Sequence, residues 1–199
     1  DEFERAWDAG DAVAAEAASG GADLVIAGDL GIGNTTPAAA LVAAALGLPA
    51  DRVAGRGTGI DDDAWRRKVA VIDAALARVA ADAGPQDLLR ALGSADIVAA
   101  TAFMAGAAKR GVPLVIDGLI ASAEALLAEL CQPGTAAWLV AGHRSPEPGC
   151  AFAQDRLGLS PILDLGMRLG EGTGAVIAVA VLHGAVAALR DVALLSDLT

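Results

Sequence analysis

The chain has 199 residues, 55% of them hydrophobic but only 3% aromatic, and a formal charge of -11 at pH 7. That length suits one domain with a sizeable core, and with so few aromatics the core must be filled by Ala, Val, Leu and Ile. The acidic balance argues against a nucleic-acid groove or an anionic membrane surface as partner, and it makes Arg56, Lys68, Arg144 and Arg168 stand out as local basic residues. Residues 1–20 set Phe3, Trp7, Val13 and Ala14 at near-helical spacing and stop at Gly20-Gly21. The apolar run Ala22 to Ala27 reads as a buried strand, followed by the loop Gly28-Asp29-Leu30-Gly31-Ile32-Gly33-Asn34-Thr35-Thr36 and an Ala/Leu-rich helix, Pro37 to Leu46.

A second glycine-dense loop, Gly55-Arg56-Gly57-Thr58-Gly59, precedes Asp61-Asp62-Asp63, which resembles a solvated helix start more than a cation site. From Asp63 the residues Val69, Ile72, Leu76 and Val79 form one apolar stripe, and Gly84-Pro85 ends that helix. A short helix spans Pro85 to Leu92, and Ser94 caps another that runs to about Arg110. Gly111 to Ile116 is the clearest later strand and ends in Asp117-Gly118. Helix (about Ser122 to Leu130), strand (about Ala136 to Ala141) and polar loop (Gly142 to Gly149) repeat the pattern, and a helix runs from Cys150 to Leu157. The apolar segment Ile162 to Leu165 and the loop Gly170-Glu171-Gly172-Thr173-Gly174 lead into Ala175 to Leu189, which reads as a buried helix too short to span a membrane. Strands alternating with helices predict one α/β domain over residues 1–199, a Rossmann-like parallel sheet with helices on both faces.

In a parallel sheet the loops after successive strands gather at one edge, so five polar loops converge on one pocket. Glycines let a ligand approach the backbone, and N–H groups at a helix start favour phosphate. The first loop lacks the lysine of a P-loop and the third glycine of a dinucleotide fingerprint, so a plain turn stays open as its alternative. Candidate phosphate ligands are the loop N–H groups, Lys68 as a point charge, and Ser145. Glu171, flanked by glycines at the mouth of an apolar helix, is either a cap or a general base. His143 has no partner motif and reads as structural rather than catalytic, and His183 as structural within its helix. Cys131 and Cys150 read as packing residues in a reducing compartment, and no ligand spacing for a metal is present.

Gly28 to Thr36, Gly55 to Gly59, Asp117-Gly118, His143-Arg144-Ser145-x-Glu147 and Arg168-Leu169-Gly170-Glu171-Gly172-Thr173-Gly174 occur together in this order. In this the chain resembles the nicotinate-nucleotide:5,6-dimethylbenzimidazole phosphoribosyltransferase family over nearly its whole length. The resemblance implies transfer of phosphoribose from nicotinate mononucleotide to dimethylbenzimidazole, giving nicotinate and the α-ribazole 5'-phosphate of the cobalamin lower ligand. It implies Glu171 as general base and a catalytic place for Asp29, where the family carries the longer Glu. Substrate binding then falls to Gly31, Ile32, Gly33, Asn34, Thr35, Gly57, Lys68, Asp117, Gly118, Ser145 and Leu169. It also implies no cofactor, small-molecule partners only, a cytoplasmic homodimer, and a fragment lacking most of the family's small second domain and part of the acceptor-base pocket. A nucleotide-binding module that keeps the phosphate loops without transfer is the alternative.

Overall fold

The structure, a computed structural model, describes residues 1–198. Its centre is β2 (Leu114–Ile116), paired in parallel with β1 (Val25–Ile26) on one side and β3 (Leu139–Ala141) on the other, in the order β1-β2-β3. The strands are shorter than the apolar runs that announce them. Pro113 has no N–H to give, so the β1–β2 ladder begins where its carbonyl accepts from the Val25 N–H at 3.0 Å. Before β3, Thr135–Trp138 coil into a 3-10 turn after Gly134, so the expected strand loses its first half. Beyond β3 a parallel bridge joins His143 to Leu163 and carries the segment at Ile162 alongside.

Leu114 and Ile116 point into the main core, whereas Val115 faces a smaller cluster. The main core is built from α2 (Thr35–Leu46), α3 (Ala50–Val53), α4 (Asp62–Leu76), α5 (Pro85–Leu92), α6 (Ala95–Lys109), α7 (Leu119–Cys131) and α8 (Pro148–Leu157). Outside α6 lies α1 (Glu2–Ser19), whose start is fixed by Asp1 and Glu4 capping each other. The two helices meet so closely that a Cβ at Gly10 would overlap the Ala99 carbonyl. The α4 stripe stops at Leu76 rather than at Gly84, because Arg78 and Val79 tighten into three-residue turns onto Ala75 and Leu76.

The last helix, α9 (Thr173–Asp191), departs from the expectation of burial. Only Gly174, Ala175 and Ala178 are buried, against Val115, while Val176, Ile177, Val181, Val186 and Leu189 are exposed. Its mean hydropathy of 1.7 makes it, by length and composition, long and apolar enough to cross a membrane. Hydropathy records what a helix is made of and is blind to what covers it. His183 likewise lies on an exposed face.

Candidate active site

The chain leaving β1, β2 and β3 runs into the first glycine loop, Asp117-Gly118 and the His143 to Glu147 loop, which surround a cavity of about 220 Å³. Of the residues expected from the sequence, Asp29, Gly31, Asn34, Thr35, Gly57, Gly118, Ser145, Leu169 and Glu171 line it. Ile32 and Gly33 sit exposed at the loop tip and do not, while Lys68 and Asp117 are buried behind the wall. Thr58, Leu119, His143, Glu147, Arg168 and Gly170 complete the lining. Gly118 has a close-approach reason to be glycine: a Cβ there would stand 3.4 Å from the Ser145 Cβ and 3.6 Å from His143 Nε2.

Asp117 works from behind. Its oxygens accept the N–H groups of Gly172 at 3.2 Å and Ala175 at 3.1 Å, which fastens the start of α9 to the end of β2. Its Oδ1 also lies 3.2 Å from His143 Nε2. Burial works against this carboxylate, yet His143 and the two N–H groups outweigh burial and hold its pKa below the ordinary value. Glu171, one residue before this anchor, is exposed and takes φ 59°, the left-handed region that non-glycine residues avoid. Its carbonyl leaves no room opposite: a Cβ on Gly28 would come within 3.0 Å. The first glycine loop and the Glu171 loop therefore touch through backbone.

At the other end Lys68, on α4, donates to Thr35 Oγ1 and to the Gly55 carbonyl, each at 3.1 Å, with Glu147 Oε2 at 3.8 Å. Burial lowers the Lys68 pKa and Glu147 opposes part of that shift. Glu147 Oε1 accepts the Gly57 N–H at 2.7 Å, so its carboxylate stands where the glycine loop, the ammonium and the cavity meet. Nothing in the motif His143-Arg144-Ser145-x-Glu147 signals that reach across 90 positions of sequence. Arg168, exposed on the rim, makes no ion pair among the described residues.

On the first loop Asp29 Oδ1 accepts from Asn34 Nδ2 at 2.5 Å, while Oδ2 is buried without a partner. Burial raises the Asp29 pKa, Asn34 pulls it back, and Asp96 adds to the rise. Behind it on α7 stands Glu124, only 1% exposed, with Oε1 unpartnered. Burial, with Asp29 and Asp96 adding to it, pushes its pKa well above the ordinary value. Nothing in the sequence marks this residue, since one acid in an Ala/Leu helix looks like a solvent face.

Glycine loops, a carboxylate and a buried ammonium gathered at the carboxyl ends of parallel strands define an α/β protein with a polar pocket where such sheets place ligands. A family described as phosphoribosyltransferase matches residues 1–197, and the chain belongs to that family. It is 53% identical over 196 residues to the nicotinate-nucleotide–dimethylbenzimidazole phosphoribosyltransferase of Mycobacterium avium (strain 104), covering 97% of this chain and 56% of that protein. To its namesake in Mycobacterium tuberculosis (strain ATCC 25618 / H37Rv) it is 52% identical over 198 residues, covering 99% and 55%. The crystal structure of CobT from Thermus thermophilus superposes with a TM-score of 0.91 at 46% identity, over 94% of this chain and 56% of that one. The chain thus spans little more than half the length of these relatives.

Proposed function

We propose that this chain is the nucleotide-binding and catalytic portion, a single domain over residues 1–199, of an enzyme that transfers phosphoribose from nicotinate mononucleotide to 5,6-dimethylbenzimidazole. The observation that carries this reading is the meeting in one cavity of Gly31, Gly57, Gly118, Ser145 and Glu171, which come from five separate loops. Donors of the glycine loops, with Ser145 and Lys68, hold the phosphate; Ile32, Gly33, Asn34, Thr35, Asp117 and Leu169 shape or support that half of the site. One nitrogen of the benzimidazole attacks the ribose C1' with inversion. The bond from C1' to the pyridinium nitrogen breaks, its electron pair neutralises that ring as nicotinate leaves, and Glu171 takes the proton from the other benzimidazole nitrogen. Asp29 lies in the same cavity and orients the acceptor. The leaving group is already activated, so positioning and one proton acceptor carry the step.

The protein works in the cytoplasm as a homodimer on small molecules, with neither nucleic acid nor membrane as partner. Its charge of -11 supports the first exclusion. The second reading is a module that binds the nucleotide without transfer. Incubation of the chain with nicotinate mononucleotide and dimethylbenzimidazole, with chromatography of free nicotinate, decides between them. Turnover that falls about 10²–10⁴-fold in Glu171→Gln supports transfer with this base; binding without turnover supports the module; turnover indifferent to Glu171→Gln removes the base assignment.

A further inference from the structure

By position Glu147 caps the N-terminus of α8, yet its side chain makes no bond to that helix. It crosses instead to the glycine loop, where Oε1 accepts the Gly57 N–H at 2.7 Å and Oε2 stops 3.8 Å from Lys68 Nζ, too far for a hydrogen bond. Oε2 is buried and has no hydrogen-bond partner, in a residue 8% exposed. The seat exists only because residue 55 is glycine, since a Cβ there would overlap the carboxyl group. A loop N–H, an ammonium and a glycine-made recess at the wall of the cavity form an anion seat, and the anion in it belongs to the protein.

We propose that Glu147 is a built-in occupant of the anion seat, holding the Gly57 N–H and the Lys68 charge until an incoming phosphate displaces it. The inference rests on the phosphate reading above, which gives Gly57 and Lys68 to the substrate. A carboxylate with one oxygen unsatisfied is a poor fit to its donors. A phosphate brings more acceptor oxygens and up to two negative charges, so it competes for the same groups and repels the carboxylate at close range. Lys68 would be costly to bury alone, and Glu147 compensates it while the site is empty. The exchange also favours phosphate-bearing ligands over the bare riboside, because only they can replace the lost carboxylate.

The test is calorimetric titration of the whole 199-residue chain, wild type and Glu147→Gln, with inorganic phosphate, nicotinate mononucleotide and nicotinate riboside. Removing the competing charge is expected to tighten inorganic phosphate and the mononucleotide about tenfold or more and to leave the riboside within about twofold. Unchanged or weaker phosphate binding in a folded Glu147→Gln protein, or no phosphate binding by either protein, overturns the proposal and leaves Glu147 a loop pin. If Glu147→Gln fails to fold, carboxyl carbon NMR of glutamate-labelled wild type decides: a phosphate-dependent shift of one buried glutamate supports displacement, and its absence refutes it. Tighter inorganic phosphate without any mononucleotide binding upholds the occupant while removing the transferase reading.

Discussion

Asp117 Oδ1 and His143 Nε2 lie 3.2 Å apart beneath the cavity, and the same carboxylate accepts the two N–H groups that begin α9. Asp117→Ala is therefore expected to cost about 1–3 kcal/mol in urea unfolding at pH 7, the range for leaving buried N–H groups without their acceptor. The pH dependence has a definite sign. Its folded pKa lies below the unfolded value of 3.8, so its stabilisation is complete above about pH 4 and is lost as pH falls through the lower folded value. Asp117→Asn should flatten this acid limb when urea midpoints are compared between pH 2 and 5.

Glu124 behaves in the opposite sense. Its folded pKa is raised well above 4.5, so the native state holds a proton that the unfolded chain releases, and stability declines as pH rises above 4.5 toward the folded value. Glu124→Gln keeps the shape without the ionisable group. It should gain about 1–3 kcal/mol at pH 8, and about 2–4 °C in Tm for each kcal/mol, with a smaller gain at pH 5. Loss of stability at pH 8 would mean that the carboxylate has a partner in solution.

Two helical glycines separate close packing from propensity. At Gly10 a Cβ would overlap the Ala99 carbonyl, so Gly10→Ala should push α1 off α6 and cost about 1–3 kcal/mol. At Gly184, on exposed α9, nothing stands within 4 Å, so Gly184→Ala should stabilise by about 0.5–1 kcal/mol. Thermal denaturation of both variants checks the pair.

Glu171 holds a left-handed φ of 59° that glycine would adopt freely. Glu171→Gly should raise stability by about 1 kcal/mol, and under the proposed role of Glu171 as proton acceptor calorimetric Tm climbs while nicotinate release falls. A variant less stable than wild type would show that the carboxylate anchors the loop.

The convergence of the polar loops is legible in the sequence, because each apolar run ends in glycine or acid and parallel topology gathers such ends. Nine of the expected residues do share the cavity wall. Less legible was which face of the wall a residue occupies. Asp117 and Lys68 sit behind it, since burial is offset there by His143, Thr35 and main-chain partners that only the fold brings near. Glu124 was missed because α7 is enclosed by α2, α6 and α8, a placement its own residues do not encode. The exposure of α9 escaped for the converse reason: apolar composition states a preference for cover without naming what provides it.

That exposed stripe on α9 shares the molecule with a charge of -11, and the two act against each other whenever two copies meet. In dilute buffer, mutual repulsion extends about 30 Å at 0.01 M salt and keeps the stripes apart; at 1 M it reaches only about 3 Å. Contact through Val176, Ile177 and Val181 has no charges to screen, so adding salt strengthens it relative to the repulsion. The colloidal behaviour of the chain is thereby inverted from that of an acidic protein joined by ion pairs: sedimentation should find heavier species as ionic strength rises.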